Sequence, residues 1–377
     1  MKDSVKLGTV GDIFIGLTYR PDDVSNEGTV VLRSSNIQNG RLDFADTVRV
    51  KCKVRENLIV KPKDILMCSR NGSAKLVGKC TLLPKLNEEM SFGAFMTIIR
   101  THHNPYLLHF FNSNAFRNQL GSAATTTINQ ITRKMLDDIV VPIYAKDQED
   151  YIVSVFNQID ELIYLRQQQL EQLNELIKSR FIELFIGKGY PTKTLDEVSL
   201  CKGEYGAQSA SVEYNPTRPR YVRITDINDD GTLNDDVVAS INLADDEQYK
   251  LEYGDFMFAR MGATVGKTYA FIEGNQIFAG YLIRYKLNQA LINPRYLFWY
   301  TKLDEYWNWV KLNQSGVAQP GINAKKYGSL QVPLPSIEEQ NQFATFVEQT
   351  DNSKLSIQQS IAELEELKKS LMQQYFG

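Results

Sequence analysis

The sequence GDFMFARMGATVGK, residues 254–267, indicates how the chain is built, because a weaker copy of it occurs in the first half of the chain. Its weaker twin is KDILMCSRNGSAKLVGK, residues 63–79, in which Arg70 corresponds to Arg260 and both stretches close on Gly-Lys. Self-similarity at a fixed offset is the signature of a repeated structural unit. The chain is therefore predicted to contain two copies of one fold.

The repeat keeps the same order in both halves of the 377-residue chain, at an offset of 189 to 194 residues. The further matches are Val31–Ile37 with Val222–Ile227, Asn104–Tyr106 with Asn293–Tyr296, Ile128–Asn129 with Ile322–Asn323, and Val141–Ile143 with Val332–Leu334. A chain of this length exceeds one ordinary core, which favours about two domains of roughly 150 residues. Each copy is interpreted as one globular domain followed by a long helix.

The helices are predicted from a heptad pattern, in which seam positions recur at alternating steps of four and three. The first pattern runs from Ile152 to Leu184 and the second from Phe343 to Tyr375. A capping box, Ser336 with Glu339, precedes the second pattern. We predict two helices of roughly 38 residues, each on the order of 55 Å long.

Two arrangements of these helices remain open, namely self-association as a generic coiled coil and pairing inside the chain. Charged residues interrupt each seam where the other is apolar, as at Lys354 against Ile163 and at Arg180 against Leu371. Neither helix would therefore match a second copy of itself well, and pairing inside the chain is favoured. If that pairing is antiparallel, the molecule has an approximate twofold axis.

The globular parts contain short runs of β-branched and aromatic residues bounded by Gly, Asn or Asp, which predict strands. Asn104-Pro105 and Asn293-Pro294 are typical of an N-cap followed by Pro at the first helical position. The predicted class is α+β, with two similar strand-rich domains joined by two long antiparallel coiled-coil helices in a pseudo-twofold internal repeat. The predicted boundaries are 1–145 for the first domain, 146–187 for the central helix, 188–336 for the second domain and 337–377 for the C-terminal helix.

Composition excludes several classes of protein. The hydrophobic fraction of 43% and the charged fraction of 23% are typical of globular chains, and no apolar run approaches the roughly 18 residues of a membrane span. The N-terminus lacks the apolar stretch of a signal peptide, so we expect a cytoplasmic protein with no membrane partner. The four cysteines are scattered without C-x-x-C spacing, which argues against zinc and against disulfides.

Charge is distributed unevenly along the chain. The formal net charge is −3, yet residues 1–145 contain 19 Lys and Arg against 13 Asp and Glu, a net +6. Since the local field depends on the distribution of charge, an anionic partner can bind at selected surfaces.

Three stretches approach catalytic motifs without completing them. Gly262–Lys267 has three residues between its glycines, where a phosphate-binding loop has four. Residues 104–106 lack the second proline of the Asn-Pro-Pro-Tyr motif, and no glycine-rich turn for a methyl donor accompanies them. Glu366 and Lys368 form a Glu-x-Lys on a helix, without a strand carboxylate before them. We predict no catalytic residue, no metal ligand and no cofactor in this chain.

Two similar domains on a rigid spacer suit a DNA duplex whose half-sites are about one turn apart. Basic residues that are identical in both copies cannot readily distinguish two different half-sites, so we assign them to phosphate binding or to the fold. These pairs are Arg33/Arg223, Arg70/Arg260 and Lys79/Lys267.

Loops that diverge between the copies are expected to read bases through Asn, Gln, Thr and Arg side chains. They are Gly203–Ser211 opposite Gly16–Arg20, and Ala123–Gln130 opposite Val317–Asn323. The complete set of candidate DNA-binding residues is Arg33, Arg70, Asn71, Ser73, Lys75, Lys79, Thr126, Asn129, Tyr205, Gln208, Arg223, Arg260, Thr264, Lys267, Gln319, Asn323 and Lys325.

Taken together, the repeated motifs and the heptad helices resemble the specificity subunits of type I restriction-modification enzymes. The resemblance covers essentially the whole chain and rests on Gly254–Gly262 with Val265–Lys267, Ile322–Asn323, and Val332–Pro335 with Glu339–Gln340, each with a weaker twin in the first half. The first half departs from the pattern at Pro142–Tyr144 and in the longer loop after Gly72.

The resemblance implies a non-catalytic DNA-recognition subunit with two target recognition domains, each reading one half of a bipartite site. It implies that the helices set the spacer and dock two methyltransferase subunits, with motor and nuclease subunits joining in a restriction complex. Partner subunits would then use S-adenosylmethionine, and ATP with Mg where a motor subunit is present. The alternatives are an adenine-specific DNA methyltransferase fragment and a coiled-coil scaffold without DNA binding.

Overall fold

The computed structural model describes residues 3–121, 130–241, 247–316 and 320–377. The chain divides into two compact units. Unit 1 comprises Met1–Gln167 with Gln359–Gly377, and unit 2 comprises Gln168–Gln358. Strand-rich sheets and helices occur in both, so the expected mixture of α and β structure is confirmed.

The strands of unit 1 are short and carry the apolar, β-branched residues that the sequence pattern predicts. They are β1 (Asp3–Lys6), β2 (Asp12–Ile15), β3 (Val24–Ser25), β4 (Thr29–Leu32), β5 (Ile37–Gln38), β6 (Arg41–Leu42), β7 (Val48–Val50), β8 (Ile65–Cys68), β9 (Cys80–Leu82), β10 (Met90–Phe92), β11 (Met96–Arg100) and β12 (Val140–Ile143). The helices are α1 (Leu7–Val10), α2 (Asn104–Phe111), α3 (Asn114–Leu120), α4 (Arg133–Asp138) and the first part of α5 (Lys146–Phe185).

Two four-stranded sheets form the body of unit 1, with strand orders β2-β11-β8-β9 and β10-β4-β7-β3. The first is antiparallel, with Met96 opposite Cys68 and Ile99 opposite Ile65, and we call it the central sheet of unit 1. Helices α2 and α3 cover it, and Phe110 and Phe116 are fully buried in the core between them.

The strands of unit 2 continue the series. They are β13 (Thr192–Thr194), β14 (Glu204–Tyr205), β15 (Ser211–Glu213), β16 (Arg220–Val222), β17 (Ala239–Ile241), β18 (Asp255–Ala259), β19 (Thr268–Ala270), β20 (Gln276–Phe278), β21 (Leu282–Lys286) and β22 (Gln331–Pro333). The helices are α6 (Pro294–Tyr300), α7 (Asp304–Asn313), α8 (Ala324–Gly328) and α9 (Ile337–Phe376).

The topology of unit 2 repeats that of unit 1. Its central sheet has the order β14-β21-β18-β19, which matches β2-β11-β8-β9 strand for strand. The parallel pair β16-β20 corresponds to β4-β10, and the antiparallel pair β13-β22 corresponds to β1-β12. The sequence repeat is therefore also a repeat of strand order and direction.

The long helices α5 and α9 have 40 residues each. In unit 1, Phe156 near the beginning of α5 stacks on Phe376 at the end of α9, with ring centroids 5.9 Å apart. In unit 2, Phe181 near the end of α5 meets Phe343 near the beginning of α9, with ring centroids 5.3 Å apart. Within each unit, the end of one helix contacts the beginning of the other.

Two details of the helix prediction are wrong. The heptad pattern places Arg180 in the seam of α5, but its side chain is exposed and forms an ion pair with Glu183. The buried residues of this stretch are Phe181 and Phe185. The cause is the 3.6-residue period of a straight helix, which drifts from a strict heptad over several turns. Asn104 is also no N-cap, because its side chain donates hydrogen bonds to the carbonyls of Lys63 and Ile99.

The other predicted caps are confirmed. The Asn293 side chain accepts a hydrogen bond from the Arg295 backbone N–H at 2.8 Å. Ser336 and Glu339 form the reciprocal capping box, with backbone-to-side-chain distances of 3.0 and 3.2 Å.

Across the described part of the chain, no helix is both long and apolar enough to cross a membrane.

Candidate nucleic-acid interface

In each unit, one end of the central sheet carries an arginine held against an aromatic residue. In unit 1, the backbone N–H of Arg70, just beyond β8, donates to the carbonyl of Phe95, just before β11, at 3.1 Å. In unit 2, the N–H of Arg260 donates to the carbonyl of Tyr281 at 3.0 Å. We call this the arginine end of the sheet.

A close backbone crossing delivers the first divergent loop to the arginine end. Gly16 follows β2, and a Cβ atom there would lie 2.1 Å from the carbonyl oxygen of Gly93. Gly206 follows β14, and its Cβ would lie 2.4 Å from the carbonyl oxygen of Ala279. Only glycine permits this approach. The loops that leave after Gly16 and Gly206 therefore start beside the turn that carries the aromatic residue.

In each unit, a third segment, which lies later in the sequence than the arginine, also contacts the arginine end. In unit 1, the N–H of Ile131 donates to the Ser69 carbonyl at 2.7 Å. In unit 2, the N–H of Ile322 donates to the Arg260 carbonyl at 2.9 Å. Ile131, which follows the second divergent loop of unit 1, and Ile322, which lies in that of unit 2, thus contact the same end of the central sheet that the first divergent loops adjoin.

The guanidinium groups of Arg70 and Arg260 lie over aromatic rings. Arg70 stands 5.3 Å from the ring centroid of Phe95, and Arg260 stands 4.8 Å from that of Tyr205. Among the described residues, neither guanidinium forms an ion pair. A cation placed on a ring keeps its charge and its donors available for an anion. Both side chains can therefore bind a phosphate without first breaking an internal pair.

Three of the other shared basic residues, all except Lys79, form ion pairs inside their own units. Arg33 pairs with Asp46 at 2.6 Å, and Lys267 pairs with Asp229 at 2.8 Å. Arg223 pairs with Asp226 at 2.8 Å and also donates to the Val237 carbonyl. Of the two assignments left open for these shared positions, phosphate binding or fold, the contacts favour the fold.

The electrostatics around Lys267 support this assignment. Its hydrogen bond holds the pKa of Asp229 below the usual value, so the carboxylate of this ion pair stays ionised. Lys302 donates to the Asp229 carbonyl, and burial lowers the pKa of Lys302 to about 8. These contacts of Lys267 and Lys302 therefore stabilise the turn that contains Asp229.

Several candidate polar residues stabilise turns. The side-chain Oδ1 of Asn71 accepts a hydrogen bond from the Ser73 backbone N–H at 3.0 Å, and the Thr264 hydroxyl donates to the Met261 backbone carbonyl at 3.2 Å. Asn323 caps α8 by accepting from the Lys326 N–H at 2.9 Å.

The remaining candidates differ in exposure. Lys75, Gln208 and Lys325 are exposed, and Lys79 is half-buried. Thr126, Asn129 and Gln319 lie outside the described residues. Within the described ranges, no group of three or more His, Cys, Asp or Glu side chains could hold a metal ion.

Sequence reasoning missed two residues at the arginine end. Phe95 and Tyr281 are each 57% exposed, although they lie in patterns that read as core strands. The available signal was their equivalent position after the short motifs at residues 92–94 and 278–280, Phe-Gly-Ala and Phe-Ala-Gly.

The known proteins that this chain is similar to are type I restriction enzyme specificity subunits. Residues 188–367 match the family model described as the type I restriction modification DNA specificity domain. The chain is 25% identical to the StySPI type I restriction enzyme specificity subunit of Salmonella potsdam, covering 98% of this chain and 87% of that protein. The EcoKI specificity subunit of Escherichia coli K12 is also 25% identical, over the same shares of both chains.

A solved structure shares the fold over the full length. The type I restriction-modification S subunit from M. genitalium superposes with a TM-score of 0.57 at 14% identity, covering 100% of this chain and 96% of that one. The family match over the second repeat and the full-length similarity to these subunits agree with the resemblance found in the sequence. The chain is similar over nearly its full length to type I restriction enzyme specificity subunits, and its second repeat matches the DNA specificity domain of that family.

Proposed function

We propose that each unit reads one half of a bipartite DNA site through its arginine end, and that the chain itself carries out no chemistry. The observation that carries this proposal is the repeat of the arginine end. Two units with the same strand order present a guanidinium that forms no ion pair with any described residue, beside loops that differ in sequence. Common cations position a duplex, and different loops distinguish its two halves.

The long helices connect the two reading units. Residues of α5 and of α9 are divided between unit 1 and unit 2, so each helix passes from one unit into the other. In our proposal the helices run antiparallel, give the chain its pseudo-twofold repeat and set the number of base pairs between the half-sites. They also provide the surface on which two methyltransferase subunits dock.

Methyl transfer belongs to the partner subunits in this proposal. The partners bind S-adenosylmethionine, and a motor subunit, where present, uses ATP with Mg. The chain contributes recognition and assembly, which agrees with the incomplete catalytic motifs at residues 104–106, 262–267 and 366–368.

Methylation mapping tests the proposal. The chain is co-expressed with the methyltransferase subunit encoded beside it, in a host whose DNA is otherwise unmethylated, and the genome is mapped by long-read sequencing. We expect a split motif with methyladenine in both halves, absent when either protein is omitted. An unmethylated genome from a soluble complex with an active partner would contradict the proposal and favour a scaffold without DNA binding.

A further inference from the structure

Each arginine end exposes one large aromatic ring at an equivalent place. Phe95 precedes β11 and Tyr281 precedes β21, and both are 57% exposed. The same turns bury a second ring, since Phe92 and Phe278 are at most 1% exposed. The turn therefore places one aromatic residue in the core and holds the other outside, in both units.

The backbone beneath these exposed rings is fixed. The carbonyl of Phe95 accepts hydrogen bonds from the N–H groups of Ser69 and Arg70 and from the Ser69 hydroxyl, at 2.9 to 3.1 Å. The carbonyl of Tyr281 accepts from the Arg260 N–H at 3.0 Å. A ring on a rigid turn loses little conformational entropy when a partner covers it, so the exposed side chain is organised for contact.

We propose that Phe95 and Tyr281 are DNA-contact residues, whose rings pack against the deoxyribose and the apolar base edges of their half-sites while Arg70 and Arg260 bind the adjacent phosphates. The proposal rests on the proposed function and adds an apolar contact to it. In unit 1 the exposed Phe95 ring lies under the Arg70 guanidinium. In unit 2 the exposed Tyr281 is joined to Arg260 by a backbone hydrogen bond, and the Arg260 guanidinium lies over the neighbouring Tyr205 ring. Neither guanidinium forms an ion pair in the described part of the chain.

Salt dependence separates an aromatic contact from a charged one. A cation that binds phosphate releases counterions, so removing it lowers the slope of log affinity against log salt by about one. An aromatic ring releases no counterions. Loss of Phe95 or Tyr281 should therefore weaken binding at every salt concentration and leave the slope unchanged.

The test uses the full chain assembled with its methyltransferase subunits and a duplex containing the mapped bipartite site. Affinity is measured between about 50 and 200 mM salt. We expect Phe95→Ala and Tyr281→Ala each to weaken binding roughly 5- to 100-fold, the range found for removal of an aromatic contact to a base, with the wild-type slope. Phe95→Tyr and Tyr281→Phe keep the ring and should bind within a few-fold of the wild type.

Tyr253 is the matched control. It is 58% exposed and lies before β18, at the opposite end of the same central sheet, where Asp255 pairs with Lys286. Tyr253→Ala should leave both the affinity and the slope at wild-type values.

Three outcomes would overturn the inference: alanine variants that assemble and bind as well as the wild type, a lowered salt slope, or an equal loss for Tyr253→Ala. Failure of the proposed function is distinguishable, because the wild-type complex itself would then neither bind nor methylate the duplex.

Discussion

At the scale of single residues, Arg70 and Arg260 differ from Arg33 and Arg223 in what their guanidinium groups contact. The first pair lies over aromatic rings, and the second pair forms ion pairs with Asp46 and Asp226. Asp226 is only 2% exposed, so its carboxylate depends on Arg223 for charge compensation. In our proposal, arginine therefore serves DNA binding at positions 70 and 260 and folding at positions 33 and 223.

Alanine substitutions should separate these two roles. Arg70→Ala and Arg260→Ala should weaken DNA binding about equally for all sequences and lower the salt slope by about one. Arg223→Ala should instead lower the free energy of unfolding by about 1–3 kcal/mol, because it leaves Asp226 buried without its partner. Titrations at several salt concentrations and chemical unfolding measure the two effects. A loss of affinity confined to one base at Arg70 or Arg260 would refute the phosphate assignment.

The glycine crossings make a second residue-scale prediction. Gly16→Ala and Gly206→Ala should each destabilise the protein by about 1–3 kcal/mol or more, because the new methyl group would overlap a backbone carbonyl. Gly72→Ala is the control, since nothing lies within 4 Å of a Cβ atom there. The measurement is the thermal unfolding midpoint of each of the three variants. Equal midpoints would show that the backbone crossing has room for a Cβ atom and would contradict the prediction.

His109 makes unit 1 sensitive to acid. Its ring is 3% exposed and stacks on Phe156, and burial lowers its pKa from 6.5 to about 4, opposed by Asp160 and assisted by Lys368. Between these two values the unfolded state binds more protons than the folded state. Stability is therefore complete above about pH 6.5 and falls as the pH drops toward 4, by an amount on the order of 3 kcal/mol.

The measurement is chemical unfolding at pH 7.5 and at pH 5. His109→Phe keeps an apolar ring on Phe156 and should lose much of the difference between the two pH values. His102→Ala removes an exposed histidine and should keep that difference. If His109→Phe retains the full acid sensitivity, another group is responsible.

At the scale of elements, the buried positions near the end of α5 differ from the positions that the heptad pattern predicts. Ile177, Phe181 and Phe185 of α5 are buried in the core of unit 2, at steps of four, and Phe343 of α9 packs against both phenylalanines. Each helix end thus belongs to the hydrophobic core of its unit. The helix ends anchor to their units through aromatic side chains.

This anchoring can be tested on α5. Phe181→Ala should destabilise unit 2 by about 3–5 kcal/mol, as expected for deletion of a fully buried ring. Ile182→Ala, one residue along and 43% exposed, should cost much less. Urea unfolding of the two variants compares them directly, and similar losses would mean that α5 presents a different face to the core.

The helices and strands could be predicted from the sequence more accurately than the contacts between them. The repeat and the heptads predicted paired helices and equivalent arginines because periodicity and spacing are local properties. Neither could place Asn104, whose side chain bonds to Lys63, distant in sequence, or Phe95, whose apolar ring reads as core. Long-range packing decides both positions, and a single sequence does not display it.

At the scale of the whole molecule, the repeat divides recognition into two parts. Each unit has its own central sheet, its own arginine and its own divergent loops, so each half of the target should be read by one unit alone. A change in one unit should then leave the other half of the target intact.

Exchange of one domain tests this claim most directly. Residues 1–145 are replaced by the corresponding segment of a specificity subunit with a different target, and the methylated motif of the chimeric complex is mapped beside that of the wild type. We expect one half of the motif to change, while the other half and the spacing stay the same. A chimera that assembles and methylates DNA, but changes both halves of the motif or neither, would contradict this claim.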